Sequence, residues 1–205
     1  MLRVGLTGSI GVGKSFVSRA LMELGCRVLD ADDAAREVVA AGSLGLHAVV
    51  AAFGPQVLRH DGTLNREQLG TIIFADAAKR ALLNSILHPY IISRQDQQLH
   101  QWEEQDPNGI AVVDAALMIE SGGYKRFDNL IVVHCDPDEQ LRRLMTRNGL
   151  TREQAEQRIG AQMSQEEKKK LADYLIDTTD GFEATRQRTE AVYEELRRKA
   201  AKTTS

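Results

Sequence analysis

The sequence predicts an α/β fold in three layers, a parallel five-stranded sheet with helices on both faces. Three observations carry that prediction. Five short apolar runs are apolar on both sides, as strands covered on both faces require. Segments with helical apolar spacing lie between them. The two kinds of segment alternate along the chain, the pattern of an α/β layer structure.

Taken in order, "LRVGLT" (2–7) is an apolar run that breaks into glycines, and "KSFVSRALMELG" (14–25) has helical spacing and stops at Gly25, so the chain opens as strand, loop and helix. "RVLDAD" (27–32) reads as a second strand ending in acidic residues. From "AREVVAAGSLGLHAVVAAFG" through "HQWEEQD" the pattern is helical nearly throughout. This stretch far exceeds the dozen or so residues of a simple crossover, and an insertion at that place can form a substrate-binding lobe. The turn signal Pro107-Asn108-Gly109 precedes the third strand, which begins "IAVVDAALMIE" (110–120); "NLIVVHC" (129–135) and "DYLIDT" (173–178) are the fourth and fifth.

Two helix starts follow the fourth strand. Asp136 supplies an N-cap, Pro137 the first helical position and Glu139 a capping-box acid; Thr151 with Gln154 forms a second box. The helices they open contain Arg142, Arg143, Arg147, Arg152 and Arg158. The closing "KAAKTTS" is expected to fray.

The 205 residues suit one domain with appendages. With 42% hydrophobic and 27% charged residues and a net charge of -3, the composition is that of an ordinary soluble globular protein. It lacks the basic excess of a nucleic-acid binder. The first apolar run is interrupted by glycines too soon for a signal peptide or a membrane span, so a cytoplasmic location and no membrane partner are expected. Cys26 and Cys135 lie in or beside apolar stretches, where a free cysteine serves as a small hydrophobe. Two such residues draw no disulfide framework or zinc spacing. His134 and Cys135, adjacent on a strand, point to opposite faces.

The sharpest motif is "GLTGSIGVGKS" (5–15), in which Gly8-x4-Gly13-Lys14-Ser15 fits G-x-x-x-x-G-K-[ST] between a strand and a helix. In that setting backbone N–H groups turn inward around phosphates, the lysine reaches the terminal pair and the serine hydroxyl ligates Mg²⁺. The glycine offsets do not match a dinucleotide-binding G-x-G-x-x-G. The site is therefore one for a nucleoside triphosphate. A GTPase would show N-K-x-D after a late strand, and the sequence has none. Asp114, ending "IAVVD", is a candidate for the magnesium water shell or simply an acid capping a strand end. "DADDAAR" (30–36) offers carboxylates to orient or deprotonate an attacking hydroxyl, with Arg36 one turn beyond Asp32 or Asp33; it also reads as an N-cap cluster opening a helix.

Together these residues resemble the dephospho-coenzyme A kinase family. The resemblance rests on the phosphate loop, on "DADDAAR", "DGTLNREQLGTIIFAD" (61–76), "ILHPYI" (86–91), "ALMIESGGYKRFD" (116–128) and "QLRRLMTRNGLTREQAEQRIGAQ" (140–162), blocks that run in the family's order to about residue 181. It implies a single P-loop kinase domain over 1–205, with a helical acceptor-binding insertion at about 35–106 and a lid at about 137–165. It implies transfer of the γ-phosphate of ATP, with Mg²⁺, to the ribose 3′-hydroxyl of dephospho-coenzyme A. Asp32 is then the base, with Arg36 nearby. Gly11, Val12, Gly13, Lys14, Ser15 and Phe16 hold ATP; Ser15 and Asp114, the latter through water, serve the metal. Arg142 and Arg147 of the lid close over the phosphoryl group. Arg66, Phe74, His88, Leu117 and Glu120 line the acceptor site, although His88 before Pro89 also reads as a helix end and Leu117 as core.

Three departures from the family pattern stand out. Phe16 replaces a common threonine; Ala116 replaces a proline, which is expected to loosen the turn beside the acceptor; and "IDTTDG" (176–181) has Thr178 and Thr179 where an asparagine near the adenine is frequent. Threonine cannot offer an amide's paired donor and acceptor, so backbone groups would read the base. Two alternatives remain open at this level: a kinase of another small acceptor such as a nucleoside monophosphate, and a nucleotide-gated binding protein. The apolar faces of the insertion leave the oligomeric state open.

Overall fold

A computed structural model of the chain describes residues 1–74 and 76–202. It divides into two compact units, residues 1–29 with 102–205 and residues 30–101.

The first unit is built on a sheet of five strands, β1 (Leu2–Gly8), β2 (Arg27–Asp30), β3 (Ile110–Asp114), β4 (Asn129–His134) and β5 (Tyr174–Asp177), in the order β2-β3-β1-β4-β5. β1 pairs in parallel with β3, placing Leu6 opposite Asp114, and with β4, placing Gly8 opposite Val133; β4 pairs in parallel with β5. Every described position of β3 is buried. That is why its sequence shows no polar alternation. Helices α1 (Lys14–Glu23) and α9 (Gly181–Lys202) cover the core. Val17 and Leu21 of α1 and Val192, Leu196 and Ala200 of α9 pack with Val4, Leu6, Val112, Ile131, Val133 and Ile176 of the strands.

Three further helices follow β4: α6 (Pro137–Asn148), α7 (Arg152–Gly160) and α8 (Gln165–Lys169). The Thr151–Gln154 box at α7 forms as expected. The box at α6 does not. Asp136 caps alone, accepting from the N–H groups of Asp138 and Glu139, while the Glu139 carboxylate turns to Arg142 and Arg143. Charge-assisted bonds to two guanidiniums outweigh one reciprocal bond to a backbone amide.

The second unit carries α2 (Ala31–Glu37), α3 (Leu44–Phe53), α4 (Arg66–Phe74) and most of α5 (Ala77–Gln105) around its own core of Val38, Val39, Leu46, Val49, Phe53, Val57, Leu64, Leu69 and Leu83. Two expectations are corrected here. The strand expected over 27–32 ends at Asp30, because the Asp30 side chain accepts from the N–H of Asp32 at 2.7 Å and caps α2. His88 does not end a helix: Pro89 lies inside α5. A helix-interior proline costs about 3 kcal/mol, and Leu83, Ile86, Leu87, Tyr90 and Ile91 on both sides of it pack on this core. Their burial holds the helix together through the break.

Both cysteines are free and buried. Burial pushes the thiol of Cys26 up to about 12 and that of Cys135 up to about 11. Only the thiolate attacks a disulfide reagent, so the folded protein is expected to react negligibly with an aromatic disulfide at pH 8, while two thiols per chain titrate rapidly in denaturant. Among the described residues no helix is long and apolar enough to cross a membrane.

Candidate active site

The phosphate loop leaves the C-terminal end of β1, the strand flanked by β3 on one side and β4 on the other. Crevices at such points, beyond the carboxyl ends of strands, are where α/β sheets bind ligands. Two glycines make the loop possible. A Cβ on Gly8 would stand 2.7 Å from the carbonyl oxygen of Val133, and Gly13 takes the left-handed conformation with φ +86°.

Gly13 is also the N-cap of α1 and supplies no side-chain cap. Among the described residues, the N–H groups of Gly11, Gly13, Lys14 and Ser15 find no protein acceptor. Four aligned donors at the positive end of a helix make a cradle for an anion. The Ser15 hydroxyl is exposed beside them. Lys14 Nζ forms an ion pair with Asp114, which is 5% exposed at the end of β3.

The loop residues Gly8 to Phe16 line a cavity of about 740 Å³ together with Ala116, Glu139, Arg142, Arg143, Thr146, Arg147, Gln162, Thr178 and Phe182. That volume fits a nucleotide-sized molecule. Arg142 bonds Glu139 with two nitrogens, each at 2.7 Å, and Arg143 reaches the same carboxylate at 2.7 Å. The hydrogen bonds from Arg142, then those from Arg143, hold the Glu139 carboxyl at about 2. A depressed folded-state value stabilises the fold above the unfolded value near 4.5 and loses that contribution as pH falls toward 2. The melting-temperature difference between wild type and Glu139→Gln is therefore expected to be constant from pH 8 to pH 5 and to shrink from about pH 4.5 downward.

The loop is fixed by side chains far away in sequence. Gln162 Oε1 accepts from the N–H of Ile10 at 2.8 Å, and Gln140 Nε2 donates to its carbonyl at 2.7 Å. Gln165 Nε2 donates to Gln140 Oε1 at 2.7 Å, tying α8 into the same chain of bonds. Thr178 donates to the carbonyl of Val12 at 2.7 Å, and Arg143 donates to both the hydroxyl and the carbonyl of Thr178, at 2.8 and 2.7 Å.

The family model of dephospho-CoA kinase (CoaE) matches residues 2–183. The chain belongs to the dephospho-CoA kinase family. It is 42% identical to the dephospho-CoA kinase of Streptomyces avermitilis over 196 residues, 96% of this chain and 94% of the relative. It is 45% identical to that of Listeria innocua over 186 residues, 90% and 92% of the two chains. Among solved structures, a Thermus thermophilus protein superimposes with a TM-score of 0.78 at 29% identity, covering 95% of this chain and 97% of the other. The dephospho-CoA kinase of Campylobacter jejuni does so with 0.65 at 26% identity, covering 95% and 96%. The sheet and helices are thus a P-loop kinase fold.

Of the residues that the resemblance to dephospho-CoA kinases singles out, Gly11 to Phe16, Arg142 and Arg147 line one cavity, and Asp114 is paired with its Lys14. Leu117 is 52% exposed rather than core, and lies just beyond the cavity-lining Ala116. Glu120 does not line the cavity; its Oε1 pairs with Lys168 at 2.9 Å and accepts from the N–H of Met163 at 3.2 Å. Nor is the turn at Ala116 loose. Its carbonyl accepts from Thr7 Oγ1 at 3.2 Å and from the fully buried Lys168 at 2.9 Å.

Asp32, Arg36, Arg66, Phe74 and His88 belong to the second unit, on α2, α4 and α5, and all are solvent-exposed. Arg36 pairs with Asp33 at 2.7 Å. Among the described residues, the Asp32 carboxylate has no partner.

Arg143, Gln140, Gln162 and Lys168 were not singled out by the sequence. Arg143 carried one local signal, its spacing of four from Glu139. The partners of the other three lie between 52 and 152 residues away along the chain in their longest contacts, and no local pattern announces such pairs.

Proposed function

We propose that the chain transfers the γ-phosphate of ATP to the ribose 3′-hydroxyl of dephospho-coenzyme A, the last step of coenzyme A synthesis, and that its residues divide the work as follows. The observation that carries this reading is the arrangement inside the cavity: four free loop N–H groups, Lys14 and three lid arginines around one space. Phosphoryl transfer demands positioning and charge stabilisation more than covalent chemistry, and those groups supply both. The N–H groups of Gly11, Gly13, Lys14 and Ser15 hold phosphate oxygens in place. Lys14 sits where charge builds on the transferring group.

The donor set suits Mg²⁺. The exposed Ser15 hydroxyl and the buried Asp114 carboxylate are both hard oxygen donors, too few for an all-protein cage, as is usual for an ion that also binds phosphate oxygens and keeps its waters. Bound there, it would offset negative charge on the phosphates.

Arg142, Arg143 and Arg147, on one helix of the lid at about 137–165, balance charge on the phosphoryl group and keep out water, which would otherwise compete as acceptor. Asp32 takes the proton of the attacking hydroxyl. Its carboxylate is available for this because Arg36 is engaged by Asp33. Arg36, Arg66, Phe74, His88, Leu117 and Glu120 serve acceptor binding within or beside the insertion at about 35–106; for Glu120 this role is indirect, through Lys168 and the Ala116 turn. The chain works in the cytoplasm on a small-molecule acceptor, without nucleic acid or membrane.

The test is acceptor competition. Purified protein with Mg·ATP is offered dephospho-coenzyme A, AMP, CMP and adenosine together, and the products are weighed by mass spectrometry. Gain of one phosphoryl group by dephospho-coenzyme A alone is expected. Phosphorylation of AMP or CMP instead would make this a nucleotide kinase, and no phosphorylated acceptor despite ATP binding would make it a nucleotide-gated binding protein.

A further inference from the structure

Phe182 opens α9 immediately after Gly181 and leaves 75% of its surface exposed. Its ring centroid lies 5.0 Å from that of Phe16, with the planes tilted by 40°. Both rings line the cavity that holds the phosphate loop. Phe16 replaces the threonine common in the family, so the pair is a feature of this chain. A large aromatic face left open in a cavity that also carries three arginines calls for a flat apolar partner.

The polar side chains around the pair are committed elsewhere. Thr178 donates to the carbonyl of Val12 at 2.7 Å, Thr179 to Asp177 Oδ1 at 2.6 Å and Thr185 to the carbonyl of Gly181 at 2.7 Å. Gln162 Oε1 holds Ile10 and the Glu139 carboxylate holds Arg142 and Arg143, whereas the threonine hydroxyls, Thr146 among them, keep lone pairs that can meet the edge of a base. The arginines only donate. Among the residues lining the cavity only Phe16 and Phe182 are aromatic, so the face of a base has these rings to stack on.

We infer that Phe16 and Phe182 form the stacking platform for the base of the nucleoside triphosphate. The inference rests on the reading of the cavity as a nucleoside triphosphate site. The phosphates are selected by the loop and the base is held by its face, which every purine offers.

Two measurements test it together. In steady-state transfer to dephospho-coenzyme A, Phe182→Ala is expected to raise KM for ATP by about tenfold, the size of one base–aromatic stack, with kcat changed less than about threefold. In a Trp102→Phe background, which removes the chain's one tryptophan, Phe182→Trp is expected to be quenched by Mg·ATP and by Mg·GTP. Inorganic tripolyphosphate should displace either nucleotide without quenching by itself. An unchanged KM in Phe182→Ala, or no quenching by a nucleotide that binds, would overturn the platform alone. Failure of both tripolyphosphate and ATP to bind would overturn the nucleotide-site reading beneath it.

Discussion

Lys14→Met is expected to lower kcat for phosphoryl transfer by at least about a thousandfold, the scale on which losing a preorganised charge at the reacting group acts. No other lysine lines the cavity. The substitution also has a structural cost. Asp114 is 5% exposed and paired with Lys14, and removing the cation takes this ion pair from a buried carboxylate, at about 1–3 kcal/mol. The two effects separate in the double variant. Adding Asp114→Asn to Lys14→Met is expected to return much of the melting temperature and none of the activity. Thermal melts and single-turnover transfer on the wild type, the single variant and the double variant check both.

Asp32→Asn is expected to lower kcat by about a hundred- to ten-thousandfold, the usual contribution of a positioned general base, with the dissociation constant for Mg·ATP changed by less than about twofold. The affinity should survive because Asp32 lies on α2 of the second unit and is not among the residues lining the cavity. Folding should survive too. The carboxylate has no partner among the described residues, and the cap of α2 uses the Asp30 side chain and the Asp32 backbone N–H, both untouched. Turnover by rapid-quench transfer and affinity by calorimetry separate the two quantities. A nucleotide-gated binding protein would show no change in either.

Those two predictions show which parts of this protein are legible in its sequence. The cradle around Lys14 could be read directly because its chemistry is local: glycine spacing, a strand before it and a helix after it determine where eight consecutive residues go. Asp114 was readable as the acid ending an apolar run, although only the sheet order, with β3 beside β1, explains why Lys14 finds it. Capping was legible where the partners sit three residues apart with no competitor, as at Thr151 and Gln154. It failed at Glu139, where two arginines compete for the carboxylate. The end of β2 was misplaced for a related reason: acidic residues after an apolar run look the same whether they finish a strand or, as with Asp30, cap the next helix.

What the sequence hid is mostly long-range. Thr178 was expected near a base, yet its hydroxyl closes the phosphate loop onto Arg143. Ala116 was expected to free a turn, yet Lys168, buried and 52 residues later, pins it. Pro89 was a plausible helix end until the apolar residues on both sides of it met one core. In each case a contact between distant residues overrides a sound local rule.

The most direct measurement of the central claim is the position of the transferred phosphate. Dephospho-coenzyme A analogues lacking either the 2′- or the 3′-hydroxyl of the ribose would be offered with Mg·ATP, and phosphorylated product followed by mass spectrometry and ³¹P NMR. The 2′-deoxy analogue is expected to gain one phosphoryl group and the 3′-deoxy analogue none. Phosphate on the 3′-deoxy analogue, at its 2′-hydroxyl or elsewhere, would contradict that claim.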